Sequence, residues 1–362
     1  VQSVVHSGVD MDLKNWAVVG FKDDTGLGRL AADLISILGI GHHLVVPSER
    51  LPTHALDPSC DILLDPNLPE CNLPTQVLYG LEGLIILERS SWYPSLLRLA
   101  KSLGIYTIGV PMWEWFKGDD ERWRYCDLFV CPTHMAVNVL KQYGFENSQY
   151  IPVPLNIHSL PHREVNGPAR LYVHNGGLID RDDRKGTRDA IAAFKMTKRK
   201  DIRLLVRLQK SEPLPELDDR IQVEIGNVGN HGDLYREGDV ALQPSKMEGV
   251  GYMVIEPFAS GLPVITTDYP PMNEYIQTKE LLVKTQLGTR PAYPSSWIKH
   301  AHMSLPDINA LAKTIDWCAE HDMAEFSRQN RQRAEILFDP FALKQKWQEA
   351  IASIDKKVGL HQ

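Results

Sequence analysis

Between Asp239 and Tyr275 the chain reads DVALQPSKMEGVGYMVIEPFASGLPVITTDYPPMNEY, and few folds accommodate that order of residues. Val240–Leu242 is a short apolar run of buried-strand type that Pro244-Ser245 brings to a halt. Gly249 and Gly251 permit backbone angles and close approaches that a side chain would block. An apolar, helix-forming segment follows. Gly261-Leu262-Pro263 stops it, and Val264–Thr267 is β-branched enough to form the next strand. A strand, a glycine turn, a helix start and a second strand gather free N–H groups and the positive end of a helix dipole. That combination favours a bound anion.

Two glutamates narrow the choice of anion. Glu248 and Glu256 have seven residues between them. Glu248 lies in the loop, within reach of neutral hydroxyls beside a phosphate. Glu256 is expected in the first helical turn, because the adjacent Pro257 is tolerated near a helix start and disfavoured deeper in. From there its carboxylate could accept hydrogen bonds from a vicinal diol such as a ribose. A carboxylate beside a bare pyrophosphate repels it, so a nucleotide sugar fits better than phosphate alone.

Over the whole length, short apolar runs alternate with longer helical stretches, the pattern of α/β architecture with parallel sheets. In the first half the expected strands are Trp16–Val19, Leu44–Val46, Ile62–Leu64, Leu84–Leu87, Tyr106–Val110, Leu128–Val130 and Tyr150–Val153, with helices over Leu27–Leu38, Pro94–Leu103 and Met135–Tyr143. Residues 156–168, NIHSLPHREVNGP, are polar and aperiodic and read as a linker between a domain over 1–155 and a second over 169–339. The second repeats the alternation with Leu171–Val173, Ile202–Arg207, Ile221–Ile225, Val240–Leu242, Val264–Thr267 and Leu281–Val283, and a helix over Thr187–Met196. Phe341, Leu343, Trp347 and Ile351 then mark an amphipathic terminal helix. At 362 residues two domains can each bury a core.

Parallel sheets bind ligands beyond the carboxyl ends of their strands, and four further segments fall there. His174-Asn175-Gly176-Gly177 ends a strand and leads into Arg181-Asp182-Asp183-Arg184-Lys185-Gly186, where glycines let the backbone approach a pyrophosphate and cations neutralise it. Asp23-Asp24-Thr25-Gly26-Leu27-Gly28 follows the first strand and opens a helix. As a dinucleotide fingerprint it is incomplete, since Ala31 stands where the third glycine belongs. Glu88-Arg89 and Met112-Trp113-Glu114-Trp115 each follow a strand. Glu114 could take a proton from an acceptor hydroxyl, and Trp92, Trp113, Trp115 and Trp123 offer aromatic faces to a sugar or, equally, a core.

A net charge of −7 speaks against a dedicated nucleic-acid binder. No apolar run is long enough to span a membrane, and the opening VQSVVHSGVDMD has no secretory pattern. Cys60, Cys71, Cys126, Cys131 and Cys318 are odd in number and scattered, as expected of reduced thiols in the cytoplasm. The thirteen histidines form no metal-ligating pattern, and no metal or cofactor is expected.

The segment around Glu248 and Glu256 resembles the E-x7-E signature of retaining glycosyltransferases of the GT-B fold, family 4 in particular. The resemblance implies two Rossmann-like domains facing a central cleft, with a terminal helix over about 340–362 packing back on the first domain. It implies a metal-independent, front-face transfer of sugar from a UDP- or GDP-sugar to an acceptor hydroxyl. Glu256 would hold the ribose, Glu248 the sugar hydroxyls, and Lys185 the phosphates. The backbone of Gly249, Val250 and Gly251, continuing into Tyr252, would face the pyrophosphate or sugar, as would Gly176 and Gly177. Lys185-Gly186 matches the end of the family's G-R…K-G element, but Gly177 stands where the arginine belongs. Arg181, Arg184 and Arg207 are the candidates to supply that charge. Gly26, Gly28, Glu88 and Trp113 fall on the acceptor side, and Glu114 stands near the position of a histidine common in relatives. The acceptor could be a glycan, a lipid or a small molecule, with peripheral membrane association left open. A GT-B epimerase or phosphorylase and a non-catalytic sugar-nucleotide binder are the alternatives.

Overall fold

The structure, a computed structural model of the chain, describes residues 11–48, 51–64, 75–93, 95–180, 182–291 and 301–358. It divides into two units, residues 1–156 with 338–362, and residues 157–337.

In the first unit, β1 (Trp16–Gly20), β2 (His42–Val45), β3 (Asp61–Leu63), β4 (Gly83–Glu88), β5 (Tyr106–Pro111), β6 (Leu128–Cys131) and β7 (Ser148–Tyr150) form one sheet. Its order is β3-β2-β1-β4-β5-β6-β7, and every pairing is parallel. The inner strands are near-continuous apolar runs, Val18-Val19 and Leu84–Leu87 among them, because both of their faces are covered, whereas the edge strands β3 and β7 are only partly buried. The helices are α1 (Gly26–Leu38), α2 (Thr75–Leu78), α3 (Leu96–Ser102) and α4 (His134–Gln142). α1 turns Leu30, Ala31, Leu34 and Leu38 to the core, a spacing of three and four residues that puts them on one helical face.

The strand expected over Tyr150–Val153 lies earlier, at Ser148–Tyr150, because Pro152 and Pro154 have no N–H to give a ladder. Of the four tryptophans weighed above, Trp113 and Trp123 are core: Trp123 packs with Phe116 and Phe129 at ring-centroid distances of 5.7 Å each.

In the second unit, β8 (Leu171–Gly177), β9 (Arg203–Leu208), β10 (Ile221–Ile225), β11 (Val240–Gln243), β12 (Val264–Thr267) and β13 (Leu282–Val283) form a second parallel sheet, ordered β10-β9-β8-β11-β12-β13. Its helices are α5 (Thr187–Lys195), α6 (Tyr252–Ala259), α7 (Met272–Tyr275), α8 (Ile308–Cys318) and α9 (Ala324–Leu337). An antiparallel pair, β14 (Thr285–Pro291) and β15 (His302–Pro306), stands outside the alternation and has no counterpart among the expected strands. Residues 157–168 are packed on this unit rather than loose. Ile157, Leu160 and Val165 are buried, the Arg163 amide donates to the Ser260 carbonyl at 2.7 Å, and the Val165 amide to Ser327 Oγ at 3.1 Å.

The final helix, α10 (Pro340–Val358), lies in the first unit. Leu343, Trp347 and Ile351 are buried as their spacing requires, Gln348 donates to the Met11 carbonyl at 3.2 Å, and Phe341 is exposed instead of joining that face. Among the described residues no helix is long and apolar enough to cross a membrane.

Candidate functional site

Both sheets reverse their winding at one place, between β1 and β4 in the first unit and between β8 and β11 in the second. Connections leave in opposite directions there and open a crevice beyond the strand ends. In the second unit the loops that flank it are residues 178–186 after β8 and 244–251 after β11. These hold Lys185, Arg184, Glu248 and the turn Gly249–Gly251 among the residues that the sequence singles out.

The two loops are bolted together. The Lys246 amide donates to the Arg184 carbonyl at 2.7 Å, and Lys246 Nζ reaches Asp189 at 2.8 Å and Asp183 at 3.7 Å. Gly186 is the point of closest approach. Its φ is +70°, and a β-carbon there would come within 2.2 Å of the Pro244 carbonyl oxygen, so only glycine fits. Across this seam the Lys185 ammonium donates to both oxygens of Glu248, at 2.7 and 2.8 Å. The Glu248 side chain is 6% exposed and that of Lys185 22%, so the carboxylate is nearly dry and the ammonium keeps one side toward solvent.

α5 starts at Thr187, as the sequence suggests, but its cap is not the residue before it. Gly186 has no side chain to cap the helix, and Asp183, in the left-handed region at φ 50°, does so instead. Its two carboxylate oxygens accept from the amides of Thr187 at 3.0 Å and Arg188 at 2.9 Å. With the Asp183 carboxylate already on those amides, the helix end is not open to a second anion. His174 fixes the base of the loop. Its Nδ1–H donates to the Leu242 carbonyl at 2.7 Å, which leaves Nε2 to accept from Thr187 Oγ1 at 2.9 Å. Burial pushes its pKa below the ordinary value, so the ring is a neutral rivet joining β8, β11 and α5. Gly176 is held beside it, since a β-carbon there would meet Thr187 Oγ1 at 2.7 Å, while Gly177, at φ +60°, ends the strand across a ladder irregularity.

After Glu248 the chain runs through Gly249, Val250 and Gly251, all buried, and Gly251 at φ +90° caps α6 from outside. The left-handed glycine lets the helix begin at once, at Tyr252. Glu256 is therefore in the second turn and not the first, and Pro257 lies inside the helix. This corrects the sequence expectation. Glu256 points into the unit, fully buried, with His231 Nε2 at 2.8 Å from one oxygen and the Tyr235 hydroxyl donating to the other. His231 and Tyr235 come from the short helical turn His231–Tyr235, on the far side of β10 in sequence, and nothing in the spacing of the chain announced them. Nor does the spacing of the chain mark Asp183, His174 or Lys246 for the parts they play here.

The arginines divide. Arg207 donates to Glu224 at 3.1 Å, to the Leu234 carbonyl at 3.1 Å and to Glu237, and is buried by them, so its charge is already met and it does not join Lys185. Arg184 lies on the loop itself and donates to Asp180 at 2.8 Å. Arg181 lies outside the described residues.

In the first unit the loop after β1 caps α1. Asp23 Oδ1 accepts from the Thr25 amide and hydroxyl, and Thr25 Oγ1 accepts from the Gly28 amide at 3.1 Å. Gly28 has no space for a side chain, because a β-carbon would lie 2.2 Å from the Asp23 carbonyl oxygen, whereas Gly26 is exposed. Glu88 ends β4 at φ 63°, a left-handed backbone that a non-glycine residue rarely adopts. Glu114 is 4% exposed in the short turn Trp113–Trp115. Trp113 is fully buried and has no face for a ligand, which corrects its assignment to the acceptor side.

Residues 170–293 match the family model described as Glycosyl transferases group 1. No curated protein matches the sequence. Among solved structures, a sucrose-phosphate synthase from Thermosynechococcus elongatus superposes with a TM-score of 0.64 at 15% identity, over 96% of this chain and 99% of that one. A glycosyltransferase from Rickettsia africae ESF-5 gives 0.63 at 13% identity, over 94% and 98%. The lipopolysaccharide outer core galactosyltransferase WaaB in its apo form gives 0.62 at 13%, over 93% and 99%. At these identities the likeness establishes the fold, which is GT-B.

Proposed function

We propose that this chain, a glycosyltransferase of GT-B fold, moves a sugar from a nucleoside-diphosphate sugar to an acceptor hydroxyl, with retention of configuration and without a metal. The observation that carries the reading is the Lys185–Glu248 contact, 2.7 and 2.8 Å long, at the winding reversal of the second sheet. A cation and an anion meet there with the cation partly open to solvent. A diphosphate needs the cation; the hydroxyls of the sugar it carries need the carboxylate. In this reading Lys185 stabilises charge on the departing diphosphate, and Glu248 is left to orient the sugar. The amides of Gly249 to Gly251 follow the pyrophosphate or sugar. Glu256 anchors the ribose end, with His231, its partner at 2.8 Å, giving way to the diol. Arg184, on the same loop, would turn from Asp180, its partner at 2.8 Å, to add charge. Rate enhancement would come from positioning and from fixed charge at the leaving group, so no covalent nucleophile is named.

A thermal-shift panel of UDP, GDP and their sugars, repeated with EDTA, tests this. A ligand that binds only the folded state raises the melting temperature, by about 2.7 kcal/mol of stabilisation at a hundredfold excess over Kd. One nucleotide class should shift the protein with and without chelator. No shift from any nucleoside diphosphate would end the reading, and a shift abolished by EDTA would end its metal-free part.

A further inference from the structure

The end of β4 is built in a way that capping α1 and filling the core do not explain. The Arg89 amide donates to the Leu87 carbonyl at 2.7 Å, across a single residue, so Glu88 is the centre of a γ-turn at φ 63°. Such turns are rare and strained, and strain of this kind is kept where it aims a functional group. The same Leu87 carbonyl accepts the Trp92 indole N–H at 2.6 Å, which ties that ring to the turn. Phe21 backs Trp92 with a centroid distance of 4.9 Å.

The group aimed by the turn is Arg89. Its guanidinium carbon lies 5.0 Å from the Trp92 ring centre and 4.0 Å from that of Trp115. Contact with aromatic rings occupies the faces of a guanidinium and leaves its edge, where the N–H donors lie. On that edge the Nε side is beside Glu88 Oε2, at 3.3 Å. The two terminal nitrogens make no hydrogen bond among the described residues, and the side chain is 31% exposed. A planar pair of parallel N–H donors, held rigid and open to water, matches an oxyanion that presents two oxygens in one plane.

We propose that Arg89, set against Trp92 and Trp115, is the docking point for a carboxylate or phosphate carried by the acceptor. This rests on the glycosyltransferase reading and names the acceptor's chemical class. Because Glu88 offsets part of the charge, binding depends on the two directional hydrogen bonds. A lysine at 89 does not replace them.

The test titrates the full chain with glucuronate, glucose 6-phosphate and methyl glucoside, by calorimetry and indole fluorescence. UDP and GDP thermal shifts are measured on the same samples. At least one of the two anions should bind about tenfold or more tightly than the neutral glycoside, the scale of one charge-assisted hydrogen bond, and which anion wins decides between carboxylate and phosphate. Arg89→Ala and Arg89→Lys should both lose that margin and keep the nucleotide shift. Neither anion outbinding the glycoside, or Arg89→Ala binding as before, overturns the proposal. Silent anions with an intact nucleotide shift strike this proposal alone. An absent nucleotide shift with anion binding intact strikes the donor reading and leaves the anion site standing.

Discussion

Replacing Lys185 with alanine separates the two tasks assigned to it, holding Glu248 and holding a leaving diphosphate. The Glu248 side chain is 6% exposed and its two oxygens share the Lys185 ammonium at 2.7 and 2.8 Å. Removing one partner of a buried pair costs about 3–5 kcal/mol, because the other charge is left without compensation. Lys185 is 22% exposed, so water can enter part of the vacated volume, and a smaller loss of about 2–3 kcal/mol is expected for Lys185→Ala. Glu248→Gln leaves the ammonium free to reach solvent and should cost less. The double variant has no orphaned charge, so it should be more stable than the sum of the single losses by about 1.5–3 kcal/mol. Urea unfolding, with hydrogen exchange of the α5 amides to localise the effect, measures this cycle. In the same variants kcat/KM should fall by about a hundredfold or more for Lys185→Ala, the usual scale for one lost electrostatic contact to a developing anion. Additive single effects together with kcat/KM within twofold of the parent would refute both roles.

Glu256→Ala should weaken nucleoside-diphosphate binding by about tenfold or more, since on the proposed reading a ribose hydroxyl loses its carboxylate acceptor; isothermal titration with unchanged affinity would contradict it. Gly186→Ala puts a β-carbon 2.2 Å from the Pro244 carbonyl oxygen at φ +70°, and should destabilise the chain by about 1–3 kcal/mol or more and lower nucleotide affinity by separating the two loops. A melting temperature within a degree of the parent would count against that seam. Burial holds the pKa values of His43 and His174 below the ordinary 6.5. The unfolded chain therefore takes up protons first as pH falls. Stability should be intact above pH 6.5 and decline below it, at up to about 1.4 kcal/mol per pH unit for each ring. Urea midpoints from pH 7.5 to 5 measure this, and His174→Gln should flatten the slope; a flat profile in the parent would remove the argument.

The strands and their order of appearance were legible because a parallel sheet covered on both faces demands uninterrupted apolar runs, such as Leu84–Leu87 and Val240–Leu242. The glycine turn was legible for a different reason. Gly186 and Gly251 both sit at positive φ, where any other residue is strained, so they had to be written into the chain. Lys185 and Glu248 were picked out by their place relative to those turns, and the structure brings them into contact. The helix starts earlier than Pro257 suggests: a left-handed Gly251 begins α6 directly, and burial of nearly the whole helix outweighs one lost backbone bond. Phe341 and Trp113 show the same limit in reverse. Periodicity marks Phe341 as interior and its place after a strand puts Trp113 on the acceptor side, yet Phe341 is exposed and Trp113 sealed, because neighbours far away in sequence decide what covers them.

What the amino-acid order determined alone was whatever depends on local backbone chemistry: where strands end, where glycine is obligatory, which loops carry charge. Which charges are free to act was decided only in three dimensions. Arg207 is consumed by Glu224 and Glu237, Asp183 takes the amides at the start of α5, and His231 with Tyr235 encloses Glu256. Each partner lies on another turn or strand. A charge's availability is set by the groups packed within a few ångströms of it, and sequence spacing does not encode that distance.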